Sequence, residues 1–191
     1  MRVISGSARG RRLKAPKTMR TRPMADKIKE AAYSMLASLG VQPRRVLDLY
    51  AGSGGVAIEA LSRGAERADF VEQNPAACAV IRDNLAATGF AEQGRVFQSS
   101  VAAFLAHVRE PYDFIILDPP YADPLIPATL QTLADSPAVA DGTVLLLGHS
   151  PRVELPERAG RLQRLRDRCH GDSCFAIYEA GAVERPRAET E

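Results

Sequence analysis

Tryptophan is absent, aromatic residues make up 6% of the 191-residue chain, and cysteine occurs three times. Cys78, Cys169 and Cys174 form an odd set at spacings that suggest no disulfide framework, so the sequence predicts no structural bridge and a reducing compartment. No apolar run approaches the ~18 residues a membrane span requires. The longest, "TVLLLG" from Thr143 to Gly148, is strand-length, and the first residues hold no apolar secretory segment. A soluble, cytoplasmic and monomeric protein is expected. Metal-ligand clusters are also missing: "CHGDSC" offers Cys169, His170 and Cys174, short of four ligands at paired spacings, so no metal is expected and the cysteines read as core residues.

Negative charge is nearly absent from the first thirty residues, where ten Lys or Arg stand against Asp26 and Glu30. The remaining 161 residues hold 15 basic and 21 acidic side chains, so the formal net charge of +2 hides a strong asymmetry. Such segregation points to a polyanion at the basic end. "RVISGSARGRRLKAP" frames a Gly-rich turn with Val3, Ile4 and Leu13, as a short β-hairpin would.

What is present beyond that arm is a rhythm. "PMADKIKEAAYSMLASLG" carries apolar residues at i, i+3 and i+4 spacing and ends on Gly40, which predicts an amphipathic helix. Five apolar strands then alternate with helices: "RRVLDLY", "RADFVEQ", "RVFQSS", "YDFIILD" and "GTVLLLG". This pattern predicts a doubly wound α/β domain with a mostly parallel sheet covered on both faces. "RLQRLRDRCHGDSCFAIYEA" breaks the rhythm and reads as an antiparallel pair turning at Gly171 and Asp172. The expected organisation is a basic hairpin and helix over residues 1–40, a core over 41–180 and a disordered tail over 181–191.

"VLDLYAGSGGVAIEAL" ends a strand at Asp48 and turns into a helix through Tyr50, Gly52, Ser53 and Gly54. Glycines allow a sharp bend and close approach of a ligand, and free N–H groups at a helix start favour an anionic group. One strand later Glu72, followed by Gln73, places a carboxylate where it could accept hydrogen bonds from both ribose hydroxyls. An adenosine-bearing ligand is implied, with NAD and S-adenosylmethionine both compatible with this loop.

"FIILDPPYADP" separates them. Its four apolar residues end on Asp118, Pro119, Pro120 and Tyr121 at the carboxyl edge of the fourth strand, where open α/β sheets bind ligands. Two prolines preset the direction of the carbonyls of Asp118 and Pro119. A carboxylate and a carbonyl that accept both hydrogens of a nucleobase amine free its lone pair for attack, and Tyr121 offers a stacking face worth about 1 to 3 kcal/mol. Hydride transfer has no use for this tetrapeptide, whereas methylation of an amine does. Two alternatives are weighed beside it: a DNA adenine-N6 or cytosine-N4 methylase, for whose target-recognition region little chain is left over, and a catalytically idle RNA-binding assembly factor.

The blocks "RVISGSARGRRL", "TRPMADKIKEAAYSML", "LDLYAGSGGVAIEALSRGA", "FVEQN" and "LDPPY" together resemble the RsmD-type guanine-N2 methyltransferases of 16S ribosomal RNA. The resemblance implies a seven-stranded class I S-adenosylmethionine-dependent methyltransferase fold and methylation of one 16S rRNA guanine in the assembling small subunit. It implies that Asp48, Gly52 and Gly54 cradle the methionine part of the cofactor and Glu72 its ribose. Asp118 to Tyr121 would orient the guanine. Arg9, Arg11, Arg12, Lys14, Arg20, Arg22 and Lys27 are the candidate RNA contacts, with Pro23 and Asp26 bordering the cleft. Three positions depart from the family pattern: Lys27 stands for a common Arg, Ser100 for an Asp or Asn at the adenine, and His149 for a Glu.

Overall fold

In a computed structural model, which describes residues 1–16, 26–120 and 123–181, the chain builds one eight-stranded sheet. Arg20, Arg22, Pro23, Tyr121 and the tail from residue 182 lie outside the described residues, as do the side chains of Asp26 and Lys27.

Strands β1 (Arg45–Leu49), β2 (Arg67–Glu72), β3 (Gly94–Gln98), β4 (Tyr112–Leu117) and β5 (Val139–His149) run parallel, in the spatial order β3-β2-β1-β4-β5. Val46, Leu47, Leu49 and Phe114 to Leu117 are fully buried. Strands apolar on both faces need cover on both, and helices in the crossovers supply it. Helices α1 (Asp26–Ser38), α2 (Gly55–Ser62) and α3 (Pro75–Thr88) cover one face, where Val46, Phe70, Phe114 and Ile116 meet Tyr33, Leu36, Ile58 and Ile81. Helices α4 (Val101–His107) and α5 (Ile126–Ala134) cover the other, packing Leu105 and Leu130 on Leu47, Ile115 and Leu117.

Local chemistry sets the helix ends. Asn74 caps α3 by accepting from the N–H groups of Ala76 and Ala77, Pro75 occupies the first turn, and Gly89 ends the helix at φ 84°. Ser100 caps α4 by accepting from the Ala103 N–H.

The antiparallel end of the sheet adds β8 (Ser173–Ala180) beside β5, β7 (Leu162–His170) beside β8, and β6 (Arg158–Ala159) as a two-residue edge. Eight strands therefore replace the expected seven, because the turn at Gly160 lets Arg158 and Ala159 pair back onto Gln163 and Leu162. The expectation of unbridged cysteines is also corrected. The β7–β8 turn at Gly171 and Asp172 sets Cys169 directly opposite Cys174, and the two form a disulfide. Cys78 is free and buried.

The N-terminal segment folds back at a bridge between Arg2 and Arg12 and lies on α2. Val3, Ala8 and Leu13 enter the same core as the first three helices. The Ser7 N–H donates to the carbonyl of Ser62 over 2.8 Å, and the Ser62 hydroxyl donates to that of Ser5 over 2.6 Å. Gly6 allows this approach, since a Cβ there would sit 1.7 Å from the Ser62 oxygen. Among the described residues no helix is long and apolar enough to cross a membrane.

Candidate active site

The carboxyl ends of β1, β2 and β4 meet at one edge of the sheet, and every chemically notable group there sits on a strand end or the turn after it. Asp48 is the fourth residue of β1 and is 2% exposed. After β1 the chain turns through Tyr50 at φ 62°, Gly52 at φ 56° and Gly54 at φ 73° before α2 begins. A left-handed tyrosine costs about 1 to 2 kcal/mol. Here the ring packs against the core beneath α4 and α5. Ser53 is buried.

Glu72 reaches across from the end of β2. One carboxylate oxygen accepts from the Gly52 N–H at 2.9 Å and the other from the Asn74 N–H at 2.8 Å. The acid thus locks the glycine turn while remaining partly exposed, with lone pairs left for a ligand. Gln73 beside it is exposed. Ser100 is exposed as well, with its hydroxyl committed to capping α4.

Asp118 follows β4, the strand hydrogen-bonded to β1. Pro119 is buried and Pro120 exposed. The Asp118 Oδ1 and the Asp48 Oδ2 are both buried without a hydrogen-bond partner among the described residues. Orphaned buried carboxylate oxygens are costly and call for a donor. Burial pushes the Asp118 carboxyl up from 3.8 to about 7. Asp48 is pushed well above the carboxylate range by burial, then by the Asp118 charge and that of Glu72.

The room for Asp118 is made by Gly148 on β5, one register step beyond the Leu117–Leu147 pair. A Cβ on Gly148 would fall 2.1 Å from the Asp118 Oδ1. That requirement was not legible in "TVLLLGHS", where a strand glycine acquires meaning only from its neighbour. His149, one residue on, serves elsewhere: its Nε2 meets the Asp167 Oδ1 at 3.1 Å and its Nδ1 the Ser150 carbonyl oxygen at 3.0 Å.

Three other residues escaped the sequence reading. Glu59, wholly buried on α2, accepts from the N–H groups of Ile4 (2.7 Å) and Ser5 (2.9 Å) and from the Arg63 guanidinium (2.9 Å). Lys29, equally buried on α1, pairs with Glu59 at 3.4 Å and donates to the Arg2 carbonyl at 2.8 Å. Asn84 on α3 accepts from the Lys14 N–H and donates to the carbonyls of Lys14 and Ser53, joining the hairpin to the glycine turn. Apolar periodicity passes over such polar residues; an unpaired acid in the otherwise apolar "GVAIEALS" was the one available signal.

Arg9, Arg11 and Arg12 are exposed on the hairpin with no ion pair among the described residues, and Lys14 pairs with Asp83 at 2.8 Å.

A glycine turn after the first strand, an acid ending the second and an Asp-Pro-Pro corner after the fourth, on a sheet of this order, define a class I S-adenosylmethionine-dependent methyltransferase. The chain belongs to the family described as conserved hypothetical protein 95, that of the RsmD-type methyltransferases, whose model matches residues 1–179. It is 37% identical over 182 residues to the candidate rRNA methyltransferase YlbH of Bacillus subtilis, covering 94% of this chain and 98% of that one. It is 31% identical over 182 residues to ribosomal RNA small subunit methyltransferase D of Escherichia coli, covering 95% and 91%. A solved Escherichia coli structure, the candidate methyltransferase YhhF, superposes with a TM-score of 0.81 at 31% identity over 95% of this chain and 98% of that one.

The cofactor of the class is S-adenosylmethionine. The residues present fit it. The open lone pairs of Glu72 suit ribose hydroxyls, and the Asp48 oxygen that has no partner among the described residues suits a cationic or N–H donor beside the glycine turn.

Proposed function

We propose that this chain methylates the exocyclic N2 amine of one guanine in 16S ribosomal RNA, within an assembling or assembled small subunit. The carrying observation is the buried Asp118 oxygen, without a hydrogen-bond partner among the described residues, at the corner beside the glycine turn, held in a space kept open by Gly148. Kinship to small-subunit rRNA methyltransferases supports ribosomal RNA as the substrate.

When bound, S-adenosylmethionine supplies an electrophilic methyl group. Asp48, Gly52, Ser53 and Gly54 would hold its methionine end, with Tyr50 bracing the turn. Glu72, Gln73 and Ser100 would face its ribose and adenine. Asp118 accepts one hydrogen of the guanine amine and the Pro119 carbonyl the other, which directs the nitrogen lone pair toward the methyl. With its carboxyl near 7, Asp118 is poised to receive the proton the amine sheds after transfer. Pro120 stiffens the corner, and Tyr121 would stack on the base. Residues 1–40 act as the docking unit and 41–180 as the catalytic core of a monomer, with Arg9, Arg11, Arg12, Lys14, Arg20, Arg22 and Lys27 contacting RNA phosphates.

The test is mass mapping of methylated nucleosides in small subunits from a strain lacking the gene, before and after incubation with protein and S-adenosylmethionine. A new N2-methylguanosine is expected. Methylation of adenine N6 or cytosine N4 instead, or of nothing, overturns the reading.

A further inference from the structure

Resting on the proposed RNA substrate, we infer that the outer half of β7 is a second RNA contact, in which Arg166 and Arg168 hold backbone phosphates flanking the nucleotide presented to Asp118. The register of the sheet carries this. Gly148, beside Asp118, pairs with Phe175 on β8, and Phe175 pairs with Arg168 on β7. The next row runs from Asp48 through Ile116, Leu146 and Ile177 to Arg166. Cross-strand partners share a face, so both arginines stand on the Asp118 face, at the same edge. Three strand spacings of ~4.8 Å place Arg168 about 14 Å from that corner.

A β-bulge decides the face. Arg164 pairs with Tyr178 and Arg166 with Ile177, so the register shifts at Leu165. Unbroken alternation would have put Arg164, Arg166 and Arg168 on one face. Instead Arg164 lies on the opposite face with Asp167, His149 and Leu155, while Arg166 and Arg168 are turned to the side of the active corner. Bulges next to active sites re-aim side chains in this way.

Arg166 and Arg168 are exposed, and neither makes an ion pair among the described residues; their guanidiniums donate only to the carbonyls of Leu165 and Asp167. The basic N-terminal hairpin lies on the same sheet face, over α2 and α3. Across the sheet Asp118, on the central strand end, lies between β7 and the side that carries the hairpin. The arginine tip of the hairpin docks at Ser62, the far end of α2, so at the active edge it is Arg166 and Arg168 that stand ready to hold RNA beside the presented base. Planar, permanently charged guanidiniums suit phosphates.

The test compares Arg166→Gln/Arg168→Gln with Arg67→Gln/Arg95→Gln, which removes the same charge from exposed positions on β2 and β3. Affinity for small ribosomal subunits from a strain lacking the gene is measured against salt concentration, together with S-adenosylmethionine affinity. The β7 pair is expected to weaken RNA binding about tenfold at 0.1 M salt and to lower the salt slope by one to two. The control pair stays within about twofold, and cofactor affinity is unchanged in both. Equal weakening by the two pairs, no weakening by the β7 pair, or a parallel loss of cofactor binding overturns the inference. If the wild-type protein neither binds nor methylates these subunits, the proposed function fails; if it does both while the β7 pair matches it, only this second contact fails.

Discussion

At the scale of the residue, Asp118 trades stability against chemistry. Its carboxyl titrates near 7 in the folded chain and near 3.8 when free, so the folded state holds the proton more tightly. The resulting stabilisation is fully present below about pH 4 and is lost as pH rises through 7. Asp118→Asn, which cannot ionise, is expected to be more stable than wild type at pH 8 by on the order of 2 to 4 kcal/mol. Chemical denaturation at pH 8 and pH 4 checks this, and the gain should vanish at the lower pH. Wild-type methyl transfer should rise with pH toward a plateau above 7, while the Asn variant is inactive. Gly148 acts through the same atom. Gly148→Ala would press a methyl into the Asp118 Oδ1 at 2.1 Å. Single-turnover rates should fall on the order of 100-fold, as expected for a displaced catalytic group. Cofactor affinity measured by titration should change little.

Among elements, the N-terminal hairpin shows how a polar network substitutes for sheet pairing. The segment has one isolated bridge, yet the buried Glu59–Lys29 pair and the Ser62 and Asn84 contacts fasten it to α1, α2 and α3. Removing Glu59 takes a buried acceptor from the Ile4 and Ser5 N–H groups, the Arg63 guanidinium and the Lys29 ammonium. Glu59→Ala is expected to cost about 3 to 5 kcal/mol in urea unfolding. Trypsin cleavage at Arg9, Arg11 and Arg12 should accelerate in the same variant, and an unchanged cleavage rate would sever the link between network and hairpin. The parallel strands and their helices were legible because apolar runs and Gly or Asn punctuation report on local structure. The two-residue β6, the disulfide and the Leu165 bulge were not, because each depends on which residue lies opposite across the sheet.

For the molecule as a whole, charge segregation was the most legible property and the hairpin its structural expression. Arg9, Arg11 and Arg12 project from the far side of a segment whose apolar residues are buried, so their loss should not disturb the cofactor site. Neutralising all three is expected to lower the salt slope of RNA binding by about two to three. S-adenosylmethionine affinity, read by calorimetry, should be unaltered; a matching loss there would mean that the hairpin shapes the catalytic cleft.

By itself the sequence determined the doubly wound order of elements, the glycine turn, the acid ending the second strand and the Asp-Pro-Pro corner. These are local patterns, set by side-chain periodicity and backbone stiffness within a few residues. Only the tertiary structure decided that Gly148 makes room for Asp118, that Glu59 and Lys29 meet beneath the hairpin, and that Arg166 and Arg168 face the active corner. Those facts are pairings between distant segments, settled by strand register and burial.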